Sequence, residues 1–309
     1  MVAHYEDGSK ETIKDYSLDK EQFNSTSETS FTVSYKRGMV TKTFEVTGLT
    51  VSDVALFGNI YKRNPSLSLS FTSKAIDSSV RQYLMGAVYY ENYVYIASSI
   101  GGDHTPTIVS KLDPANNYKL VASKEVSNTK YGGDGSQLFV KGNDLYLING
   151  TSNPTEIWKI DLKADFMNSE KAFTKVSLPI TGATGIQWND AKNQYAALIG
   201  SKVKIYDSTG KEIKTFANDA WIDGYSASSI FADDEYIYVS FKNNAQPNVP
   251  ICIYRWDGTY VGRVQIGIPS GLADTNYNIQ SVFIKENKLC ATACAWGQLG
   301  VTIWEADFA

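Results

Sequence analysis

Five stretches of the chain read alike: Ile108-Val-Ser-Lys-Leu-Asp113, Ile157-Trp-Lys-Ile-Asp161, Val203-Lys-Ile-Tyr-Asp207, Ile253-Tyr-Arg-Trp-Asp257 and Ile303-Trp-Glu-Ala-Asp307. Each is a short apolar strand closed by Asp. The residue four before that Asp is β-branched every time (Val109, Ile157, Val203, Ile253, Ile303). Successive Asp residues stand 48, 46, 50 and 50 positions apart. A fixed period in this range marks a repeat architecture and sets the frame for the rest of the chain.

Upstream of each stretch lies a hairpin. Residues 87–90 face 94–97, 137–140 face 145–148, 185–188 face 195–199, 229–232 face 236–241, and 281–284 face 289–294. Their turns, such as Glu91-Asn92, Lys141-Gly-Asn-Asp144 and Asp233-Asp234, are built from turn-forming residues. After the Asp come a further turn and a fourth strand, at 119–126, 173–178, 212–216 and 260–266. Four antiparallel strands per repeat make the blade of a β-propeller. No helical period of useful length interrupts them. The Asp residues themselves are read as turn caps.

The last repeat stops at Asp307-Phe-Ala309, one strand short. Residues 66–73, Ser-Leu-Ser-Leu-Ser-Phe-Thr-Ser, alternate cleanly and are expected to supply that strand, closing a ring of five and removing an exposed edge. A partial sixth blade is the alternative, because Asn59-Ile-Tyr-Lys-Arg-Asn64 also reads as a third strand. The expected class is therefore all-β: a five-bladed β-propeller over 66–309, a linker over 51–65, and a separate module over 1–50. The segments Val203-Lys-Ile-Tyr-Asp-Ser-Thr-Gly-Lys-Glu-Ile-Lys-Thr-Phe216 and Ile253-Tyr-Arg-Trp-Asp-Gly-Thr-Tyr-Val-Gly-Arg-Val264 resemble the strand–turn–strand signature of NHL-type and TolB-type propellers. That resemblance implies a fold and little about function.

In the first 50 residues, Phe31, Val33 and Tyr35 alternate with polar residues up to a Lys36-Arg37-Gly38 turn, and Val40, Phe44 and Val46 follow. This is a hairpin with one apolar face. With Tyr5-Glu-Asp-Gly-Ser-Lys-Glu-Thr12 upstream, residues 3–48 resemble the second half of a bacterial immunoglobulin-like repeat of surface and phage proteins. The resemblance implies a partial β-sandwich, a spacer or adhesion unit without catalytic residues. Its missing first strands would come from a neighbouring chain or a longer parent.

Composition excludes several classes. Of 309 residues, 43% are hydrophobic and 13% aromatic, enough for a core and too many for a disordered chain. No run approaches the roughly 18 apolar residues of a membrane helix, so no membrane insertion is expected. Net charge is −4 with no basic stripe, which gives nucleic-acid binding no support. The only histidines are His4 and His104, which argues against a His-rich metal site and a Ser-His-Asp triad. Cys252, Cys290 and Cys294 are too few for a disulfide framework. Cys290 and Cys294, four apart on a strand, read as buried thiols sharing a face. No P-loop, dinucleotide fingerprint or zinc spacing occurs, so no cofactor and no metal are expected. The Met1-Val-Ala-His start shows no signal peptide.

A ligand site is expected where loops lead into the innermost strands. Tyr83, Tyr225 and Tyr277 each fall five residues before a strand apolar residue (Val88, Ile230, Val282), and Tyr131 falls seven before its counterpart. Trp221, Asn278, Asp134 and Asp223 share these loops. Aromatic faces beside amides and carboxylates suit a sugar, which offers C–H faces and a hydroxyl rim. The competing reading is that the tyrosines pack blade against blade. Asp134 and Asp223 are the one plausible carboxylate pair for a glycoside hydrolase, with no third acid in an equivalent loop. Sialidase-type Asp-box repeats are absent.

The sequence thus favours a non-enzymatic binding protein of a virion, extracellular space or cell surface. Its expected partner is a cell-surface glycan or a virion or surface protein. A phage tail or receptor-binding component leads. A bacterial surface lectin or adhesin, a glycoside hydrolase of a five-bladed propeller family, and a pure structural scaffold are the alternatives.

Overall fold

The computed structural model describes residues 2–4, 7–13, 15–20, 28–49, 56–81, 83–99, 107–126, 136–149, 156–162, 173–217, 225–242, 249–270, 277–295 and 301–308. The chain divides into two compact units, Met1–Val54 and Ala55–Ala309.

In the first unit, β1 (Val2–His4) pairs with β2 (Lys10–Thr12), and β3 (Ser17–Leu18), β4 (Phe31–Arg37) and β5 (Val40–Val46) form a three-stranded antiparallel sheet in that order. Registered pairing lines up Leu18, Val33 and Phe44 across the sheet. Since side chains alternate along a strand, Phe31, Tyr35 and Val46 share that face, and Thr32, Ser34, Thr43 and Glu45 share the other. Among the described residues of this unit, only Ile13 and Val33 are buried hydrophobics; Phe44 keeps 66% of its surface exposed.

The second unit is a β-propeller. It contains, among the described residues, five four-stranded antiparallel sheets. Blade one is β7 (Tyr83–Tyr90), β8 (Tyr93–Ser99), β9 (Ile108–Asp113) and β10 (Lys119–Glu125). Blade two is β11 (Ser136–Lys141), β12 (Asp144–Asn149), β13 (Glu156–Asp161) and β14 (Thr174–Val176). Blade three is β15 (Gly185–Asn189), β16 (Gln194–Ile199), β17 (Lys202–Asp207) and β18 (Glu212–Ala217). Blade four is β19 (Ser226–Ala232), β20 (Tyr236–Lys242), β21 (Val249–Arg255) and β22 (Tyr260–Ile266). Blade five takes β23 (Tyr277–Lys285), β24 (Lys288–Ala295) and β25 (Val301–Asp307) from the C-terminus, and β6 (Thr72–Ala75) from far upstream. The first strands touch in a closed cycle, β7 to β11 to β15 to β19 to β23 and back to β7.

The apolar residues that mark the repeat build the seams between blades. Five buried clusters fill five seams: Leu138 and Trp158 meet Val88 and Val109 between blades one and two, and Phe283 and Ile303 meet Leu84 and Ile96 between five and one. The other three seams are filled in the same way. Three of the closing Asp residues cap turns as read: Asp113 accepts from the Ala115 N–H, Asp207 from Thr209 and Lys211, and Asp257 from Thr259, whereas Asp307 accepts from the Lys288 ammonium. In blade four the third strand stops at Arg255, and Trp256-Asp257 belong to the turn.

Two expectations require correction. Residues 57–63, placed in a linker and in the strand of a partial sixth blade, form the helix α1 (Phe57–Arg63). Phe57 and Tyr61, one turn apart, are buried between blades four and five, where Phe57 meets Phe308 edge-on at 5.2 Å. The helix comes close enough that a Cβ on Gly58 would stand 2.5 Å from the Tyr236 ring, and one on Gly262 would strike the Tyr61 ring. The strand that completes the last blade is Thr72–Ala75, so of 66–73 only Thr72 and Ser73 enter the ladder, opposite Glu305 and Trp304. Leu67, Leu69 and Phe71 instead pack on the core of that seam. No described helix is long and apolar enough to cross a membrane.

A buried ionic cluster fixes the seam between blades five and one. Lys285 donates to Glu305 at 2.5 Å and to the Tyr118 hydroxyl at 2.9 Å, and Tyr118 donates to the same carboxylate. The side chains of Lys285 and Glu305 are 9% and 5% exposed. Tyr118 holds a φ of 55°, unusual for a bulky residue. Burial pushes the Glu305 carboxyl up, but hydrogen bonds from Lys285 and Tyr118 outweigh it and leave it below its ordinary value. Its contribution to stability is therefore present above the ordinary carboxylate pKa and lost as pH falls through the lowered one. Glu305→Gln, which strands a buried ammonium, should cost about 3–5 kcal/mol in urea unfolding. The double variant Lys285→Met/Glu305→Leu should recover most of that loss, because it leaves no unpaired charge.

Candidate ligand-binding rim

The first strands are not equivalent. In blades two and three they run 6 and 5 residues and pair regularly with their neighbours. In blades one, four and five they run 8, 7 and 9 residues, and each contains a register shift. The shifts fall between Leu84 and Ala87, between Ala227 and Ser229, and between Ile279 and Ser281. Each inserts one extra residue, a β-bulge, which bends the strand and re-aims the side chains beyond it. Blades four, five and one are consecutive in the ring, so the bulges form one arc.

A bulge leaves backbone groups without ladder partners, and here hydroxyls supply them. Ser228, in the bulge of blade four, donates to the Gln280 carbonyl in the bulge of blade five at 3.2 Å. The Ala87 N–H of blade one donates to the Ser281 hydroxyl of blade five at 3.4 Å, and Thr292 donates to the Met85 carbonyl at 3.0 Å. Ser281 and Thr292 are buried. The three bulges are thereby tied to one another rather than to solvent.

Tyr83 begins β7, Tyr277 begins β23, and Tyr225 directly precedes β19. All three thus stand at the start of a bulged first strand. Tyr83 and Tyr225 are half-buried. Tyr225 also packs against the hydrophobic cluster between blades three and four, which gives it a structural share. Asn278 follows Tyr277 in the strand, opposite Cys294. Tyr131, Asp134, Trp221 and Asp223 lie outside the described residues, as do 100–106, 150–155, 243–248, 271–276 and 296–300.

The signal missed in the sequence sits two residues before each aligned apolar position. Gly86, Ser228 and Gln280 precede Val88, Ile230 and Val282 by two. A glycine or polar residue there interrupts an apolar strand, and glycine or an unmatched polar group inside a strand is a known mark of a bulge.

The opposite ends of the first strands are stitched shut. Tyr90, Lys141, Asn189 and Lys285 each end a first strand, and each reaches the next blade. Tyr90 donates to the Gly142 carbonyl at 3.2 Å, Lys141 to the Tyr195 hydroxyl at 2.6 Å, Asn189 to the Asp234 carbonyl at 3.0 Å, and Lys285 to Tyr118. Lys141 also lies 3.7 Å from the centroid of the Trp188 ring. Nearer the axis, the buried Gln187 side chain donates to the carbonyls of Leu138 and Ile230, bridging three first strands. These polar groups are used by the fold.

None of the five first strands carries an Asp or Glu. The carboxylates expected at the rim, Asp134 and Asp223, belong to the loops between strands and not to the first strands. Among the described residues, no group of three His, Cys, Asp or Glu side chains could hold a metal ion. Cys252 and Cys290 are buried free thiols, and burial pushes Cys252 up to about 11, which keeps it protonated and unreactive.

No protein-family model and no curated protein matches the sequence. Among solved structures, the tail fiber of Staphylococcus aureus phage P68 is similar with a TM-score of 0.54 and 13% identity, over 81% of this chain and 55% of that one. A GH43 glycoside hydrolase, engineered to show both endo-xylanase and exo-arabinofuranosidase activity, is similar with a TM-score of 0.50 and 11% identity, over 76% of this chain and 52% of that one. At such identities the likeness shows the fold alone. The chain spans about half the length of the structures it matches.

If the hydroxyls hold the arc together, Ser281→Ala leaves the buried Ala87 N–H without its partner. A loss of about 1–3 kcal/mol in unfolding free energy is expected. Ser208→Ala, on the exposed turn that follows β17, serves as the comparison and should change stability by less than about 0.5 kcal/mol.

Proposed function

We propose that this protein is a non-enzymatic binding protein, a virion tail or receptor-binding component that recognises a cell-surface glycan. The observation that carries this reading is the arc of three bulged first strands, each with a tyrosine at its start, on consecutive blades. A bulge costs ladder bonds, and three of them in one arc beside aromatic side chains fit a surface shaped for a ligand better than one shaped for packing alone. Tyrosine faces suit the C–H faces of a sugar, and Asn278 and the carboxylates of Asp134 and Asp223 supply hydrogen-bonding partners for its hydroxyls. The similarity of the propeller to a phage tail fiber supports the virion setting. In this reading the first unit, with its resemblance to half an immunoglobulin-like repeat, acts as a spacer that carries the propeller.

A glycoside hydrolase is the second reading, favoured by the similarity to a GH43 enzyme and by the Asp134 and Asp223 pair. A screen of bacterial cell-wall and surface polysaccharides separates the two. Binding without turnover is expected, with Tyr225→Ala and Tyr277→Ala each weakening it by roughly three- to tenfold. Binding that survives both substitutions would remove the rim as the site. Turnover that disappears in Asp134→Asn or Asp223→Asn would establish the hydrolase instead.

A further inference from the structure

Away from the rim, the outer edge of blade four borders a cleft of about 410 Å³, a volume in the range of ligand pockets. One wall is the edge strand β22. The other is the stretch after α1, with Pro65, Leu67, Ser68 and Leu69. An edge strand offers unpaired main-chain groups to another chain.

At Arg263 these groups are already taken. The Tyr61 hydroxyl donates to the Arg263 carbonyl at 2.7 Å and accepts from its N–H at 3.3 Å. Arg263 therefore turns its backbone outward. In an antiparallel strand residues two apart share that orientation, so Gln265 turns outward too. Its partner across the ladder is Pro250, and in this orientation the pair exchanges no main-chain bond. The Gln265 donor and acceptor face the cleft. Across it, Leu67 and Leu69 are anchored in the core of the seam while Ser66, Ser68 and Ser70 are exposed. Among the described residues the charge lining the cleft has one sign: Arg263 lines it and no Asp or Glu does, while Lys62 and Arg63, exposed at the end of α1, lie in sequence between the lining residues Tyr61 and Pro65.

From this geometry we propose that the cleft receives a short, extended, acidic segment of a partner polypeptide, added as a fifth strand to β22. Main-chain bonds to Gln265 hold it, and Arg263 with its basic neighbours selects its carboxylates. This is strand addition to a sheet edge. The site is separate from the tyrosine rim, and it does not depend on the glycan reading.

The probe is the peptide acetyl-Thr-Glu-Val-Glu-Thr-amide, titrated into the full chain with hydrogen exchange and amide chemical shifts as readouts. Binding should slow exchange at Gln265. Methylation of the central peptide nitrogen should weaken binding at least tenfold, and so should replacing both glutamates by lysine. Gln265→Pro removes the outward N–H and no bond within the sheet, so it should abolish binding while the melting temperature holds. Arg263→Glu should reverse the preference towards the lysine peptide. The proposal is overturned if N-methylation and Arg263→Glu both leave affinity unchanged, if no peptide binds at millimolar concentration, or if the Gln265 amide is already protected in the free protein. That last result would mean the chain's own residues 66–70 close the edge. Glycan binding should be unchanged in Arg263→Glu.

Discussion

The ladder between Thr72–Ala75 and Val301–Asp307 is the constraint on which the propeller rests. A ring of sheets is closed only if the last and first repeats are held together, and here one blade is assembled from both ends of the unit. The Thr72 hydroxyl reaches the Glu305 carbonyl across 233 residues of sequence. Such a contact carries a large loop-closure cost, so closure must follow the formation of the local hairpins that reward it. Lys285, Glu305 and Tyr118 are buried beside this ladder, which makes the adjoining seam sensitive to a single missing partner.

Four of the five seams obey one local rule. A residue that ends a first strand hands a polar group to the next blade, as Tyr90, Lys141, Asn189 and Lys285 do. Blade four breaks the rule, because β19 ends at Ala232, whose side chain has no donor. The helix α1 fills that seam instead. Its Gly58 N–H donates to the Tyr238 hydroxyl, which in turn donates to Asp233, and the Tyr236 hydroxyl donates to Asn59. Burial pushes the Asp233 carboxyl up, against the hydrogen bonds from Tyr238 and two backbone N–H groups that favour its charged form.

Much of this architecture is legible in the sequence. The β-branched residue and the Asp recur at a period set by the blade, and at Asp113, Asp207 and Asp257 the Asp does the capping that its chemistry predicts. The helix is hidden because Phe57-Gly-Asn-Ile-Tyr-Lys-Arg63 is short and poor in helix formers; it persists through burial of Phe57 and Tyr61, which propensity does not see. The closing strand is displaced because alternation is as strong in Ser66-Leu-Ser-Leu-Ser70 as a strand requires, while the ladder is decided by reach to Thr302 and Glu305. Of the candidate site, the register of Tyr83, Tyr225 and Tyr277 could be read from spacing. The bulges could not, because the glycine or polar residue that marks them (Gly86, Ser228, Gln280) has a polar counterpart at the regular first strands (Ser136, Thr184).

Those inserted residues have a consequence for symmetry. A ring of five similar blades would present a ligand with five similar seats and no preferred direction. One extra residue in each of three consecutive first strands breaks that equivalence. The ring of first strands thereby acquires a direction about its axis. Near-symmetry in the repeat then coexists with one arc of three blades unlike the other two.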